Sequence, residues 1–336
     1  MRSTCFIVSA AALSACGDAF CFSPTRMSAG GVLEPFQAGN ALKVISGLNK
    51  FDADLVSRVA RAAAAGGGTH IDIACDPDLV RTAKRVSNVP VSGVPTMMGG
   101  FFRLDDYPRG GPTPPYTKKH DIGMKSARVR LGRNEEDLIS MGHVCVSAVD
   151  PELFPACVDA GAEMVELGNF DCFYDQGLTF SAEDVLEMTR RTRALLPTIP
   201  LSVTVPHTLD LDEQVNLAVE LEGLGVDVIQ TEGKFSLDPS KGGIQGAIER
   251  AAPTLAAAHA ISRAVSIPVM AASGLSDITA PMALSAGARG VGVGSAVNKL
   301  NSEIGMVAVV RAIASSMGLP ESSAIAATAS AEKSTA

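Results

Sequence analysis

Residues 69–87, THIDIACDPDLVRTAKRVS, decide the fold. In the first part, 69–75, Ile71 and Ile73 fall on one side of an extended chain and Asp72 on the other. DPDLVRTAKRVS, 76–87, then opens on an acidic cap and continues as an amphipathic helix. A strand delivered straight into a helix is the repeating unit of a parallel sheet with crossover helices.

The alternation extends in both directions. Upstream, KVISGL (43–48) precedes ADLVSRVARAAAAGG (53–67). Downstream, VCVSAV (144–149) leads to DPELFPACVDAGA, EMVELGNF (163–170) to SAEDVLEMTRRTRALLP, and LSVTVPH (201–207) to LDEQVNLAVELEGLG. DVIQTEG (227–233) leads to APTLAAAHAISRAVS, PVMAASG (268–274) to TAPMALSAGA, and GVGVGSAV (290–297) to EIGMVAVVRAIASSM. Eight such units close a (β/α)8 TIM barrel, expected over residues 41–318. A doubly wound open sheet needs fewer units and a glycine fingerprint after its first strand, where this chain has SGLNKFD (46–52). The tail 319–336, rich in Ala, Ser and Thr, is expected to be flexible.

Residues 92–144 break the rhythm. They hold five Pro and eight Gly, and with eight basic against six acidic residues they are net positive in a chain of net charge -8. Joining Val91 to Cys145 would write an uninterrupted strand, VPVCVSAV, so an irregular insertion is expected to interrupt strand three. A retained intron and a functional lid both fit that composition.

An apolar content of 46 % and a mean hydropathy of +0.22 fill a sizeable core and exclude disorder or a fibrous repeat for most of the chain. With 28 basic and 36 acidic residues there is no basic field for polyphosphate, which argues against nucleic acid as a partner. Of seven cysteines, Cys5, Cys16 and Cys21 precede the barrel, and Cys75, Cys145, Cys157 and Cys172 form no CxxC and no zinc spacing. A disulfide scaffold and a metal site are therefore not expected, and a reducing compartment is. No run of 18 apolar residues exists to span a membrane.

Arg2, the apolar run from Cys5 to Ala15, and the small residues Gly17 and Ala19 have the layout of a signal peptide over residues 1–19. The next segment, 20–40, starts with Phe20, carries Ser, Thr and Arg, and has no acid before Glu34, the composition of a plastid transit segment. Together they resemble the bipartite leaders of algae with secondary plastids. The expected location is the plastid (chloroplast) stroma, with secretion as the alternative.

The ordered strings THIDIACDPDLVR, CVSAVDPELF, VELGNFDCFY, LSVTVPHTLDLDEQV, AAPTLAAAHAISRAVSIPV and AGARGVGVGSAVN closely resemble the hypothetical chloroplast reading-frame family numbered twenty-three (ycf-twenty-three) of algal plastids and cyanobacteria. The resemblance runs from Ala41 to about Ala314, omitting the insertion. It implies a barrel of the aldolase type in a plastid or cyanobacterial setting, and no established reaction.

Two constellations carry chemistry. The first is ASGLS (272–276) with GVGVGSAV, at the ends of the last two strands, where many barrels bind a phosphate. Ser273, Gly274, Gly292, Gly294 and Ser295 are the expected phosphate-binding residues, because glycine admits an anion close to the backbone N–H groups. Tight strand-to-helix turns would use the same glycines. The second follows from strand phase. With Val165, Leu167, Val203, Val205 and Ile229 facing the helices, Asp72, Glu166, Thr204, Gln230 and Glu232 point inward, and Lys43 joins them from strand one.

Lys43, beside Asp72, is a candidate base or Schiff-base nucleophile, Glu166 and Glu232 a candidate acid and base, and His207 at the end of strand five a proton-transfer or substrate-binding residue. A satisfied ion network is the alternative for the charges. Asn169, Thr204, Gln230 and Thr231 are expected to bind the substrate's polar groups. These residues suit a lyase or isomerase acting on a small phosphorylated molecule. The alternatives are a flavin mononucleotide protein, with Phe170, Phe173 and Tyr174 near the rim, and a non-enzymatic metabolite-sensing or scaffold barrel.

Overall fold

The computed structural model describes residues 31–87, 142–174, 176–233 and 239–319. The leader expected over 1–30, the stretch 88–141 and the tail from 320 lie outside the described residues.

Eight parallel strands close on themselves in sequence order, each pairing with the one before and the one after. They are β1 (Ala41–Ile45), β2 (His70–Ala74), β3 (His143–Ala148), β4 (Met164–Leu167), β5 (Leu201–Val205), β6 (Val228–Thr231), β7 (Val269–Ala272) and β8 (Gly290–Val293). A short helix, α1 (Glu34–Ala38), precedes β1. The outer helices are α2 (Ala53–Gly66), α3 (Pro77–Ser87), α4 (Phe154–Asp159), α5 (Asp171–Tyr174), α6 (Ala182–Leu195) and α7 (Leu211–Gly223). α8 (Gly243–Ile261), α9 (Ala280–Ser285), α10 (Ser295–Asn298) and α11 (Glu303–Ser316) complete the ring.

Side-chain caps start several of the helices. Asp52 accepts from Asp54 N–H at the head of α2, and Ser181 with Asp184 and Asp210 with Glu213 form reciprocal capping boxes on α6 and α7. Arg61 on α2 meets Glu303 on α11 through two hydrogen bonds of 2.9 and 2.7 Å, joining the first and last helices of the ring.

Strand phase divides the core. Leu42, Val44, Ile71, Ile73, Val165, Leu167, Val203 and Val205 face outward into one apolar layer shared with the helices. Inside the barrel, a second apolar cluster of Ala41, Cys145, Met164, Val228 and Met270 fills the N-terminal end, closed by Val32 and by Phe36 of α1. Above it the inward positions turn polar: Lys43, Asp72, Glu166, Thr204 and Gln230 are all buried.

All eight strands depart from the sequence limits at one end or both, and two of the departures bear on the site and the insertion. Strand eight ends at Val293, and Gly294 to Val297 already belong to the cap and body of α10. Strand three is continuous from His143 and pairs with β2 from His70↔His143 to Ala74↔Ser147. The residues from Val89 to Val91, expected to start that strand, fall in the stretch outside the described residues.

Candidate functional site

A cavity of about 430 Å³ opens at the C-terminal end of the barrel. Thr204, Gln230 and Thr231 form its floor with Ile45, while Asn169, Glu232, Ser273, Gly274, Gly292, Gly294 and Ser295 line its walls. All five expected phosphate-binding residues and all four expected substrate-binding residues therefore share one cavity. Lys43, Asp72, Glu166 and His207 are not among its lining residues.

The charged residues lie beneath the floor as one network. Lys43 Nζ donates to Glu166 Oε2 in a buried ion pair, both side chains fully out of solvent. The register places Lys43 opposite His70, with Asp72 opposite Ile45, so the partner of Lys43 is Glu166 on β4 rather than the expected Asp72. Asp72 instead accepts from Ser147 Oγ at 2.6 Å and from Asn169 Nδ2 at 3.1 Å. Burial pushes the Asp72 carboxyl up to about 6, helped by the Glu166 charge and opposed by Lys43. Burial alone would pull Lys43 down, but the charges of Glu166 and Asp72 reverse it and the ammonium stays protonated. Lys43 is enclosed, ion-paired with Glu166 and absent from the cavity lining.

Gln230 and Asn169 connect this network to the cavity. Gln230 Nε2 donates to Glu166 Oε1 at 2.8 Å and to Thr204 Oγ1 at 3.0 Å, and Asn169 Nδ2 reaches the same Glu166 oxygen at 3.2 Å. A carboxylate can only accept, so the Glu166 contact fixes which way the Gln230 amide points. Its other end, Gln230 Oε1, is buried without a hydrogen-bond partner among the described residues. Asn169 is held at φ 61°, a left-handed conformation that asparagine tolerates better than most residues.

A second polar group stands at the rim. Glu232 accepts from Asp171 N–H at 2.9 Å, Tyr174 Oη at 2.6 Å, and His207 Nδ1 at 3.1 Å. Burial beside that carboxylate raises the Tyr174 hydroxyl well above its ordinary range, so it remains a donor. Tyr174 also packs edge-on against His207 at 4.7 Å. Glu232 and Glu166 thus occupy separate networks. Tyr174, which the sequence suggested only as a possible flavin contact, is a direct partner of Glu232.

The opposite wall is built from backbone and lysines. Ser273 has φ 89°, a strained value for a residue with a side chain, and Thr254 of α8 secures it by donating to the Ser273 carbonyl at 2.8 Å. A methyl group on Gly292 would sit 3.0 Å from Ala272 Cβ, so packing between β7 and β8 accounts for that glycine. At Gly294 a methyl would find only ordinary contacts, the nearest at 3.7 Å, so the protein's own packing does not require glycine there. Lys50 and Lys299 also line the cavity, and Asn298 holds the first loop by donating to the carbonyls of Ile45 and Ser46 at 3.1 Å each. Neither lysine carried a sequence signal: each lies in a polar loop, outside any motif.

Phe170 and Phe173 pack on Phe180 at 4.5 and 5.8 Å, and neither these rings nor Tyr174 line the cavity. Among the described residues, no cluster of His, Cys, Asp and Glu has the arrangement of a metal site. Among them too, no helix is long and apolar enough to cross a membrane.

Among solved structures, a 3-hexulose-6-phosphate synthase overlays with a TM-score of 0.48 at 11% identity, covering 82% of this chain and 99% of that one. Wild-type GGGPS from Thermoplasma volcanium overlays with a TM-score of 0.48 at 10% identity, covering 85% and 96%. A family model described as a protein of unknown function (DUF561) matches residues 27–97 and 134–322. The matched blocks reach past 92 and 144 on both sides, leaving 98–133 between them. The uncharacterized protein ycf23 of Cyanophora paradoxa is 38% identical over 273 residues, 81% of this chain and 90% of that protein. Its counterpart in Pyropia yezoensis is 30% identical over 272 residues, 81% and 80% of the two chains. With most of its length inside the family model and a relative 38% identical over 81% of it, this chain belongs to the ycf23 family, proteins of unknown function (DUF561).

Proposed function

We propose that the cavity at the C-terminal mouth binds a small phosphorylated metabolite and acts on it by proton transfer, the chemistry shared by isomerases and lyases. The observation that carries this reading is the asymmetry of the cavity. One wall offers the Ser273–Gly274 and Gly294–Ser295 backbone with the Lys50 and Lys299 ammonium groups, a surface for an anion. The floor offers Thr204, Gln230 and Thr231, polar side chains for the hydroxyl groups of the same ligand.

In this reading Glu232 and His207 exchange the proton at the rim, with Tyr174 and the Asp171 N–H holding the carboxylate in place. Lys43, Asp72 and Glu166 act as positioning residues, because their hydrogen bonds orient Asn169 and Gln230. The packing of Phe170 and Phe173 on Phe180, with no aromatic ring lining the cavity among the described residues, favours this over flavin binding. The plastid setting belongs to the same proposal and rests on the composition of residues 1–40.

Native mass spectrometry of the purified protein tests it: a retained phosphorylated ligand is expected. Inorganic phosphate should raise the melting temperature, and Gly294→Asp should abolish that rise while still folding, because a Cβ there meets only ordinary contacts and the added charge repels the anion. A bound flavin visible by absorbance, or a phosphate response unchanged in Gly294→Asp, overturns the proposal.

A further inference from the structure

Cys75 and Cys157 are 82 positions apart in sequence, yet their sulfurs are 3.4 Å apart. Cys75 is the first residue after β2, directly before Asp76, whose Oδ1 caps α3 by accepting from Asp78 N–H at 2.8 Å and Leu79 N–H at 3.1 Å. Cys157 lies on α4, the helix after β3, and α4 packs against α3. Both thiols are therefore carried by capped or packed elements, with little freedom to drift apart. Their exposure differs: Cys157 is fully buried, whereas Cys75 is half-buried and reachable from solvent.

Among the described residues, the remaining cysteines, Cys145 and Cys172, have no such partner. Cys145 is enclosed in the floor of the barrel, and Cys172 Sγ donates to the Asn169 carbonyl at 3.2 Å.

We propose that Cys75 and Cys157 are a redox-active dithiol that closes to a disulfide by exchange with a small-molecule disulfide of the glutathione class. The hydrogen bond from Cys75 to Cys157 holds the Cys157 thiol below its ordinary range and pushes the Cys75 thiol above it, so the pair ionises as a unit sharing one proton. The sulfur that a solvent-borne disulfide meets is that of Cys75. Passing the shared proton to Cys157 makes Cys75 the thiolate, which attacks one sulfur of oxidised glutathione; the S–S bond breaks, and one glutathione leaves and takes up a proton. Cys157, already in contact, attacks the Cys75 sulfur of the mixed disulfide and expels the second glutathione. Two protein thiols are oxidised, one glutathione disulfide is reduced to two thiols, and both protons end on glutathione.

The product would join the second and third βα units across the stretch that contains residues 98–133, which the family model leaves unmatched. Closing so long a loop restricts the unfolded chain, so the oxidised form should melt at a higher temperature.

The test incubates the full chain with oxidised glutathione under native conditions, blocks free thiols, and maps peptides by mass spectrometry. A Cys75–Cys157 cross-linked peptide without retained glutathione, reversed by dithiothreitol, is expected. Cys157→Ser should instead keep one glutathione on Cys75, since nothing remains to displace it, and Cys75→Ser should lose the rise in melting temperature on oxidation. Wild-type protein in which both cysteines stay as thiols, or in which they carry glutathione without the cross-link, overturns the proposal. So does a Cys75 that pairs mainly with another cysteine.

Discussion

The two ends of the barrel interior are built from the same strands and do opposite things. At the N-terminal end Phe36, Met164, Val228 and Met270 pack into a dry plug, and the histidine that borders it, His70, is neutral, pushed down to about 3 mainly by burial. Its Nε2 donates to the Val32 carbonyl at 2.8 Å, and its ring packs tilted against Phe36 at 4.7 Å. At the C-terminal end the inward residues are an ion pair, a second carboxyl and two amides, roofed by an open cavity. The difference teaches where this barrel puts its cost. Burying Lys43, Glu166 and Asp72 stabilises less than apolar side chains of similar volume would, and the arrangement makes sense where it positions Gln230 and Asn169 beneath a ligand.

The comparison breaks most sharply at the ion pair. Lys43→Met should destabilise by roughly 3 to 5 kcal/mol, because it strands a buried carboxylate, and adding Glu166→Gln should recover much of the loss. Denaturant unfolding of the four proteins in that cycle measures it; no recovery would mean that the pair is not coupled. At the other end, Phe36→Ala should cost about 3 kcal/mol through the cavity it leaves, with the response to inorganic phosphate unchanged. A lost phosphate response there would show that the two ends are not independent.

Acid sharpens the contrast, because the ends titrate with opposite sign. His70 binds its proton less well folded than unfolded, so stability is lost as pH falls from 6.5 toward about 3. Asp72 holds its proton more tightly folded than unfolded, so stability is lost as pH rises from 3.8 toward about 6. Between those limits the two trends oppose each other. Unfolding free energy against pH should therefore rise more steeply in Asp72→Asn than in wild type, and should flatten in His70→Asn; parallel curves would refute the assignment. The smallest effect is expected at the mouth, where Lys50→Ala and Lys299→Ala should change stability by no more than about 0.5 kcal/mol. Each should nevertheless lower the melting shift given by inorganic phosphate.

Period-two alternation made much of this legible. It assigned Asp72, Glu166, Thr204 and Gln230 to the interior because a strand with Ile, Val and Leu on one face must turn its other residues inward. The loops after β7 and β8 were readable for a similar local reason, glycine and serine following a short apolar run. Partner choice was not readable. Neighbouring strands in a closed barrel are staggered, so residues alike in phase sit at different depths, and Lys43 meets Glu166 across the interior. Tyr174 escaped notice as a partner of Glu232 because they are 58 positions apart and joined only by the closing of the rim.

By itself the sequence determined the eight units, their order, the inward set and the family, since each depends on local periodicity or on strings of residues. Only the tertiary structure decided that the charges lie under the cavity floor, that Lys50 and Lys299 join its wall, and that Cys75 and Cys157 touch. Those facts depend on strand stagger, barrel radius and loop direction, which arise when the sheet closes and which no single segment encodes.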